Sequence, residues 1–471
     1  SRGGANGGDM QVRQAWVGVC LAVAACPALL AQPHALATPT VIVDAHGLGA
    51  QGVRALTGAD GVIWHAEFGS ELLLGVDDKT LPTWLARDAV RVGPARLAFD
   101  EIVVRDHVCT VHSPETPLAV VGGYQILRRP PALVRATKGA AIVGEPLPED
   151  GVVARLTSNA EQTVKAKGAN PTVSAIVAKV NAARWFDDVE ALAAINRNSF
   201  SDELPHARDW LLQRFADAGL QTGTHSYTLN SSSCGTSLPD RVLDNPWGLK
   251  RGGRLADEWI VIGGHYDSRN SVRCDGVSNR QPGANDNASG CAGVLELARV
   301  FRNVPTERSL LFICFSGEEQ GLIGSLRYVQ DLIAEGRMAQ IKHMVNLDMI
   351  GHAVSDNLDA RVETNNAQQA LLAVYASAAA TYAPELNLIT SAATQAYSDH
   401  WYFLTQDVPS VFTWENGAGI YPQYHAVGDL PTAMLRAEAL AGGILKMDTA
   451  VLAEEVIASD LLVDSFEGAA H

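Results

Sequence analysis

Two adjacent carboxylates, Glu318 and Glu319, follow an apolar run in the segment LLFICFSGEEQGLIGS. Like charges this close repel, so one of the two acids takes up a proton unless a cation lies nearby. Acidic residues are also favoured at the start of a helix, and the pair could have only that local role. The choice depends on whether other parts of the chain supply ligands for a cation.

Candidate ligands and polar neighbours occur in four further segments. In chain order they are His265 and Asp267 in GGHYDS, Asp286 in GANDNASG, Asp348 in NLDMIG, and Tyr424, His425 and Asp429 in QYHAVGD. Asp, Glu and His are ligands that zinc accepts. Each segment alone is a weak signal, since acids and histidines are common at strand ends and in loops. Their joint occurrence predicts a two-metal site.

Strands and helices alternate over the half of the chain that carries these residues. The predicted strands are EWIVIGG, SLLFICF, HMVNLDM and VPSVFTW, and the predicted helices are ARDWLLQRFADAGL, CAGVLELARVFRN, GLIGSLRYVQDLIAEG and AQQALLAVYASAAATY. This alternation is typical of an α/β domain with a mostly parallel central sheet flanked by helices. Because sites in such sheets form beyond the carboxyl ends of the strands, we expect the candidate residues to meet at that edge.

The residues before this half have a different pattern. From 38 to 157, short apolar runs such as TVIVDAHG and EIVVRD are broken by Gly, Pro and Asp, which predicts a smaller β-rich N-terminal domain. The polar residues 158–174 are typical of a linker, residues 175–455 form the α/β domain, and residues 456–471 form a short tail. The N-terminal domain could be a propeptide that covers the site or a permanent module.

The first 37 residues are interpreted as an upstream extension and a secretory signal peptide. Arg13 precedes an apolar stretch, and Ala35 and Ala37 are the small residues of a cleavage site. The stretch is short for a membrane span and contains Pro27. We therefore expect a secreted or periplasmic protein without a membrane span in its mature form. A lipoprotein form anchored at Cys26 is the alternative.

Composition and cysteine usage restrict the class of protein further. A formal net charge of −16 argues against nucleic acid and anionic membranes as partners. Export permits disulfides, and Cys234 and Cys274 in polar, loop-like sequence are the candidate pair. Cys291 and Cys314 lie in apolar runs, where we expect buried thiols.

Taken in order, the five motifs GGHYDS, GANDNASG, FSGEEQGLIGS, NLDMIG and YHAVGD resemble those of the secreted co-catalytic zinc aminopeptidases. This group is metallopeptidase family twenty-eight, which includes the bacterial leucyl aminopeptidases. The resemblance covers roughly residues 175–455 and does not reach the N-terminal domain. It implies the zinc aminopeptidase fold and the hydrolysis of N-terminal amino acids from peptides that have a free amino end. We expect a monomer.

The resemblance also implies two zinc ions and their ligands. Asp286 would bridge both ions, His265 and Asp348 would complete one site, and Glu319 and His425 would complete the other. Two zinc ions carry four positive charges, which three carboxylates and a bridging hydroxide would balance. A partly buried cluster requires such a balance.

Other motif residues receive roles from the same resemblance. Glu318 would act as the general base, Tyr424 would hydrogen-bond to the tetrahedral intermediate, and Asp267 would orient His265. Ser398 to His400 match a loop that lines the site in relatives, and a capping or core role is an open alternative. The sequence departs from the family pattern at Asn285, which is often Asp, with no expected loss of metal.

Three other functions remain as alternatives. A glutaminyl cyclase and a carboxypeptidase can share this fold, and a non-catalytic binding ectodomain would have lost ligands. FSGEEQG and NDNASG favour the peptidase, and all five ligand positions and the base are occupied by suitable residues.

Overall fold

The structure is a computed structural model of the 471-residue chain. It describes residues 37–457 except for gaps at 46–48, 69–70, 88, 107–116, 122–123, 129–144, 148–150, 159–167, 231–238, 272–273, 275–279, 355, 394–397 and 416–420. The predicted signal peptide and C-terminal tail lie almost wholly outside the described residues.

Strands and helices are numbered in chain order. The strands are β1 (Thr40–Asp44), β2 (Val62–Phe68), β3 (Glu71–Val76), β4 (Val90–Val92), β5 (Ile102–Asp106), β6 (Ala119–Val121), β7 (Tyr124–Arg128), β8 (Glu145–Pro146), β9 (Val152–Ser158), β10 (Gln221–Leu229), β11 (Arg241–Lys250), β12 (Leu255–His265), β13 (Arg308–Phe315), β14 (Ile341–Leu347), β15 (Asp359–Asn365), β16 (Asn387–Ala393) and β17 (Ser410–Glu415). The helices are α1 (Gly49–Thr57), α2 (Leu81–Leu85), α3 (Pro171–Val177), α4 (Ala182–Ala193), α5 (Leu204–Asp217), α6 (Ser289–Phe301), α7 (Ile323–Ala334), α8 (Ala370–Tyr382), α9 (Trp401–Leu404) and α10 (Ala437–Val456).

Local chemistry explains several helix boundaries. The side chain of Asn170 accepts hydrogen bonds from the first backbone N–H groups of α3, and Asn181 does the same for α4. Helix α5 is followed by Gly219 at φ +77°, a conformation that favours glycine, as the sequence pattern predicts.

The strands form one large mixed sheet with a parallel centre. Its order is β10-β11-β13-β12-β14-β17-β15-β16-β9-β2-β3-β1-β4, and β13, β12, β14 and β17 are parallel neighbours. The predicted fold class is confirmed: a mostly parallel central sheet flanked by helices follows a β-rich N-terminal region.

Helices cover both faces of this centre. In β12, Ile260 and Ile262 belong to one hydrophobic cluster, together with residues of α6 and α10, and Val261 belongs to another, with residues of α7. Alternate residues of a strand point to opposite faces, so the parallel strands are buried on both sides. The candidate metal ligands of these strands lie at or just beyond the strand ends.

The N-terminal strands continue the same sheet. β9 pairs antiparallel with β16, from Ile389 opposite Ser158 to Ala393 opposite Ala154, and β2, β3, β1 and β4 follow it. β5 to β8 form a separate four-stranded sheet in the order β6-β7-β5-β8. Phe412 of β17 packs in the hydrophobic cluster of this N-terminal region.

The cysteine predictions need one correction. Cys291 of α6 and Cys314 of β13 are buried as expected, but they form a disulfide across a Cα–Cα distance of 5.9 Å instead of remaining thiols. The packing of α6 on β13 brings them together. Cys274 is disulfide-bonded, but Cys234 lies outside the described residues, so that pairing stays a prediction.

None of the helices in the described part of the chain combines the length and apolar character that a bilayer span requires.

Candidate metal centre

The parallel strands deliver the motif residues to one edge of the sheet. β12 ends at His265, β13 ends three residues before Glu318, and β14 ends directly before Asp348. Gly317, at φ +66°, forms the turn between β13 and the acid pair. The candidate residues therefore meet at the carboxyl edge, as expected, because the strands that carry them are parallel.

Asp286 is held by a network of polar side chains from distant parts of the chain. It lies in the segment Ala284–Ala288 before α6, where its backbone is not helical (φ −113°, ψ 91°), and its peptide bond to Asn287 is cis. The carboxylate of Asp429 accepts hydrogen bonds from the backbone N–H groups of Asn285 and Asp286, at 2.9 and 3.0 Å. The side chain of Asn285 donates to Glu415 and accepts from Gly351 N–H, both at 3.0 Å. The Asn285 side chain is therefore structural, and the Asp286 carboxylate takes part in none of these hydrogen bonds.

Two groups of side chains meet at Asp286. His265 Nε2 lies 3.3 Å from Asp286 Oδ1 and 3.3 Å from Asp348 Oδ1. His425 Nε2 lies 3.1 Å from Asp286 Oδ2 and 3.3 Å from Glu319 Oε2. Each oxygen of one carboxylate thus faces a different histidine, which is the arrangement expected of a bridging ligand.

These separations fit a tetrahedral zinc ion. Zinc–ligand bonds near 2.0–2.2 Å place neighbouring ligand atoms about 3.4 Å apart. Two buried oxygens, Asp286 Oδ2 and Asp348 Oδ1, accept no hydrogen bond from any residue that the structure describes. Buried carboxylate oxygens without a donor are costly, so the donor set suits a pair of cations.

The pKa shifts of the buried acids also favour a bound cation. Burial raises the pKa of Glu318 and of Glu319 well above the usual range, and neighbouring acids add to it. For Asp286, burial is outweighed by the contacts with His265 and His425, which hold its pKa below the usual range. Without a bound cation, burial thus opposes the ionisation of Glu318 and Glu319.

The two histidines differ in their protonation. Burial lowers the pKa of His425 to about 4, and the charge of Arg269 acts in the same direction, so its ring is neutral near pH 7. Burial also acts to lower the pKa of His265, but Asp348, Glu318 and other acids raise it well above the usual range. A metal ion would have to displace a proton from His265.

Asp267 contacts both the histidine and the acid pair. His265 Nδ1 lies 3.1 Å from the backbone carbonyl oxygen of Asp267 and 3.6 Å from its carboxylate. The carboxylate instead accepts hydrogen bonds from the N–H groups of Glu318 and Glu319, at 3.2 and 3.3 Å, and from Ser199 Oγ. Asp267 therefore positions His265 through its main chain and the acids through its side chain.

The remaining predicted residues lie around the ligands. The ring of Tyr424 stacks on that of His425, with centroids 3.6 Å apart, and His425 has a left-handed backbone at φ +52°. Such strain in a non-glycine residue is typical of functional positions. Ser398 donates to Asp348 Oδ2 at 2.7 Å, which gives the loop at residues 398–400 a role in holding a candidate ligand.

Arg197 is a functional candidate that the sequence analysis missed. It is fully buried and donates to the backbone carbonyl oxygens of Leu192, Tyr266, Pro282 and Gly283, at 2.5–2.8 Å. Burial lowers its pKa to about 10, so it stays charged at neutral pH. It joins the end of β12 to the segment before Asp286, and no local sequence signal marks it.

Part of the chain is similar in sequence to known metalloproteases. Residues 248–441 match the sequence model of Peptidase family M28. A protein of Pyrenophora teres f. teres named "Probable zinc metalloprotease" is 33% identical over 157 residues, which is 32% of this chain and 33% of that protein. Aminopeptidase YwaD of Bacillus subtilis is 36% identical over 116 residues, 24% of this chain and 23% of that protein. The chain thus spans a third or less of these relatives.

Two solved structures have a similar fold. LapB from Legionella pneumophila aligns with a TM-score of 0.52 and 18% identity, over 89% of this chain and 100% of that one. A glutaminyl cyclase from Macrostomum lignano aligns with a TM-score of 0.51 and 17% identity, over 62% and 94%. The match to the model of Peptidase family M28 over residues 248–441 confirms the resemblance drawn from the five motifs.

Proposed function

We propose that the protein is a zinc-dependent aminopeptidase that removes N-terminal amino acids from peptides. The observation that carries the proposal is the shared carboxylate of Asp286, with one oxygen beside His265 and the other beside His425. A peptidase of this kind uses two nearby metal ions, and the family of the matched domain supports the same activity.

Two zinc ions would be held by separate groups of residues that share Asp286. His265 and Asp348 would complete one site, and Glu319 and His425 would complete the other. Bound zinc lowers the pKa of water and polarises a carbonyl group. Glu318 lies beside the first group, with Oε2 at 3.9 Å from His265 Nε2, which is longer than the ligand separations.

Side chains of the protein would then transfer the proton, position the acid pair and bind the substrate. Glu318 would take a proton from the attacking water at its carboxylate and give it to the leaving amine. Asp267 would keep the acid pair in place through its two backbone hydrogen bonds. The buried carboxylates around the site would hold the positively charged amino end of the substrate, which would limit cleavage to that end.

The direct test is hydrolysis of leucyl, arginyl and glutamyl p-nitroanilides. We expect turnover that a chelator abolishes and that added zinc restores, with two zinc ions per chain by elemental analysis. Turnover that persists after complete removal of metal would refute the proposal.

A glutaminyl cyclase is the second candidate, because a solved structure with this fold has that activity. Peptides that begin with glutamine separate the two functions. Release of free glutamine supports the peptidase, whereas formation of a pyroglutamyl peptide without release supports the cyclase.

Secretion is also part of the proposal. It is supported by the signal-like sequence before residue 38 and by the disulfide between Cys291 and Cys314, a bond typical of exported proteins. Mass spectrometry of the native protein would test it, with Thr38 as the expected first residue. A cytoplasmic protein that retains the residues before Thr38 would contradict it.

A further inference from the structure

Arg269 is a buried cation beside the candidate metal centre. It follows GGHYDS directly, and 8% of its side chain is exposed. Its ionic contact is with Glu319, at 3.5 Å from Nε to Oε2, and Nε makes no hydrogen bond. The guanidinium group makes no other ion pair or hydrogen bond with the described part of the chain.

Two other largely buried arginines, Arg197 and Arg299, have acceptors within the protein. Arg197 donates to four carbonyl oxygens, and Arg299 Nη1 lies 2.5 Å from Asp188. A guanidinium group has five N–H donors, and burial without acceptors carries a large desolvation cost. The environment of Arg269 therefore suggests that its acceptor is a ligand.

Balancing the charge of Glu319 does not explain why Arg269 is buried at this position. Glu319 Oε2 also lies 3.3 Å from His425 Nε2, within one of the two candidate ligand groups. If zinc occupies that group, the charge of Glu319 is already balanced and Arg269 faces a cation. A buried positive charge in that position needs a negative partner from outside the protein.

The chemistry of peptide hydrolysis identifies a suitable partner. The amino end of the substrate is positively charged, so it is repelled by a guanidinium group. The oxygen of the scissile carbonyl gains negative charge during the reaction, and the released amino acid keeps a carboxylate on the same carbon. Guanidinium groups bind carboxylates with two parallel hydrogen bonds, which makes the carboxylate a better partner than a neutral amide.

We propose that Arg269 donates hydrogen bonds to the oxygen of the scissile carbonyl group and then to the carboxylate of the released amino acid. The inference rests on the proposed aminopeptidase function. It makes Arg269 a catalytic residue that stabilises developing negative charge, and it predicts inhibition by free amino acids.

Calorimetric titration of the zinc-loaded protein tests the inference. The probes are L-leucine and L-leucinamide, or L-arginine and L-argininamide if the arginyl p-nitroanilide is the better substrate. In the unchanged protein the acid should bind about 10-fold or more tighter than the amide. Arg269→Gln should remove this difference, and Arg269→Lys should keep part of it.

Kinetics and zinc content provide the controls. Arg269→Gln should lower kcat by about 100-fold, the usual effect of removing one donor to a developing oxyanion, with little change in KM. Zinc content and melting temperature should stay unchanged. Arg254→Gln, whose side chain is 75% exposed, is the matched control and should behave as the unchanged protein.

Three results would overturn the inference. Arg269→Gln could weaken the acid and the amide equally, it could lose zinc, or the unchanged protein could bind the acid no better than the amide. The first two results would assign Arg269 a structural role around Glu319. Failure of the aminopeptidase function would appear separately, as absent turnover in the unchanged protein.

Discussion

At the scale of single residues, two chemically identical neighbours have different surroundings. The N–H groups of Glu318 and Glu319 both donate to Asp267, so one carboxylate holds the backbone of the pair. Their side chains then diverge, since Glu318 Oε2 lies 3.9 Å from His265 Nε2 and Glu319 Oε2 lies 3.3 Å from His425 Nε2. Adjacent residues with different contacts can divide two functions between them.

The first prediction separates these two functions. Glu318→Gln should retain both zinc ions and lower kcat by about 10²- to 10⁴-fold, because it removes the proton acceptor. Glu319→Gln should lower zinc affinity by at least about 100-fold, because it removes a ligand. Elemental analysis after dialysis and steady-state kinetics measure both. Equal effects of the two substitutions on zinc content would contradict the division.

At the scale of elements, the strand ends do not position the site by themselves. The segment that carries Asp286 has an irregular backbone, and Arg197 joins it to the end of β12 through carbonyl groups on both sides. Hydrogen bonds to a charged group are stronger than neutral ones, so this contact orders two segments that carry candidate ligands.

The second prediction concerns this arginine. Arg197→Met should lower zinc affinity about 10- to 100-fold, because the segments around His265 and Asp286 lose their common donor. Competition with a chromogenic chelator measures the affinity. Arg254→Met, at an exposed position, is the control. If Arg197→Met unfolds the chain, Arg197→Lys retains the charge with fewer donors and should show a smaller loss of affinity. An unchanged zinc affinity in both variants would exclude this role.

At the scale of the whole molecule, the N-terminal region is continuous with the sheet that forms the site. β9 covers the edge of β16, and Phe412 packs in the N-terminal cluster while its ring stacks on His400 at 5.3 Å. His400 belongs to the loop in which Ser398 donates to Asp348. These contacts favour a permanent module over a removable propeptide.

The third prediction tests that preference. Deletion of residues 38–158 should lower the melting temperature by at least about 5 °C and promote aggregation, because it exposes Phe412 and the edge of β16. Deletion of residues 1–37 is the control and should leave the melting temperature unchanged. A soluble, fully active product of the larger deletion would identify the region as a propeptide.

The sequence by itself determined the elements and the candidate ligands of the α/β region. β12, β13, β14, β17, α5, α6, α7 and α8 follow the predicted periodicities, and the ligand candidates follow the apolar strands. These features are local, since a strand buried on both faces is mostly apolar and its apolar run is visible in the sequence. The family resemblance depends on the same local motifs.

Only the tertiary structure decided which distant groups meet. The pairing of β9 with β16, the disulfide between Cys291 and Cys314, and the contacts of Arg197 and Arg269 all join residues far apart in the chain. The periodicity of apolar residues and the spacing of motifs do not predict such contacts, because strand order and packing depend on the whole chain. A buried arginine looks the same in sequence whether its acceptor is a carbonyl group of the protein or a substrate that has yet to bind.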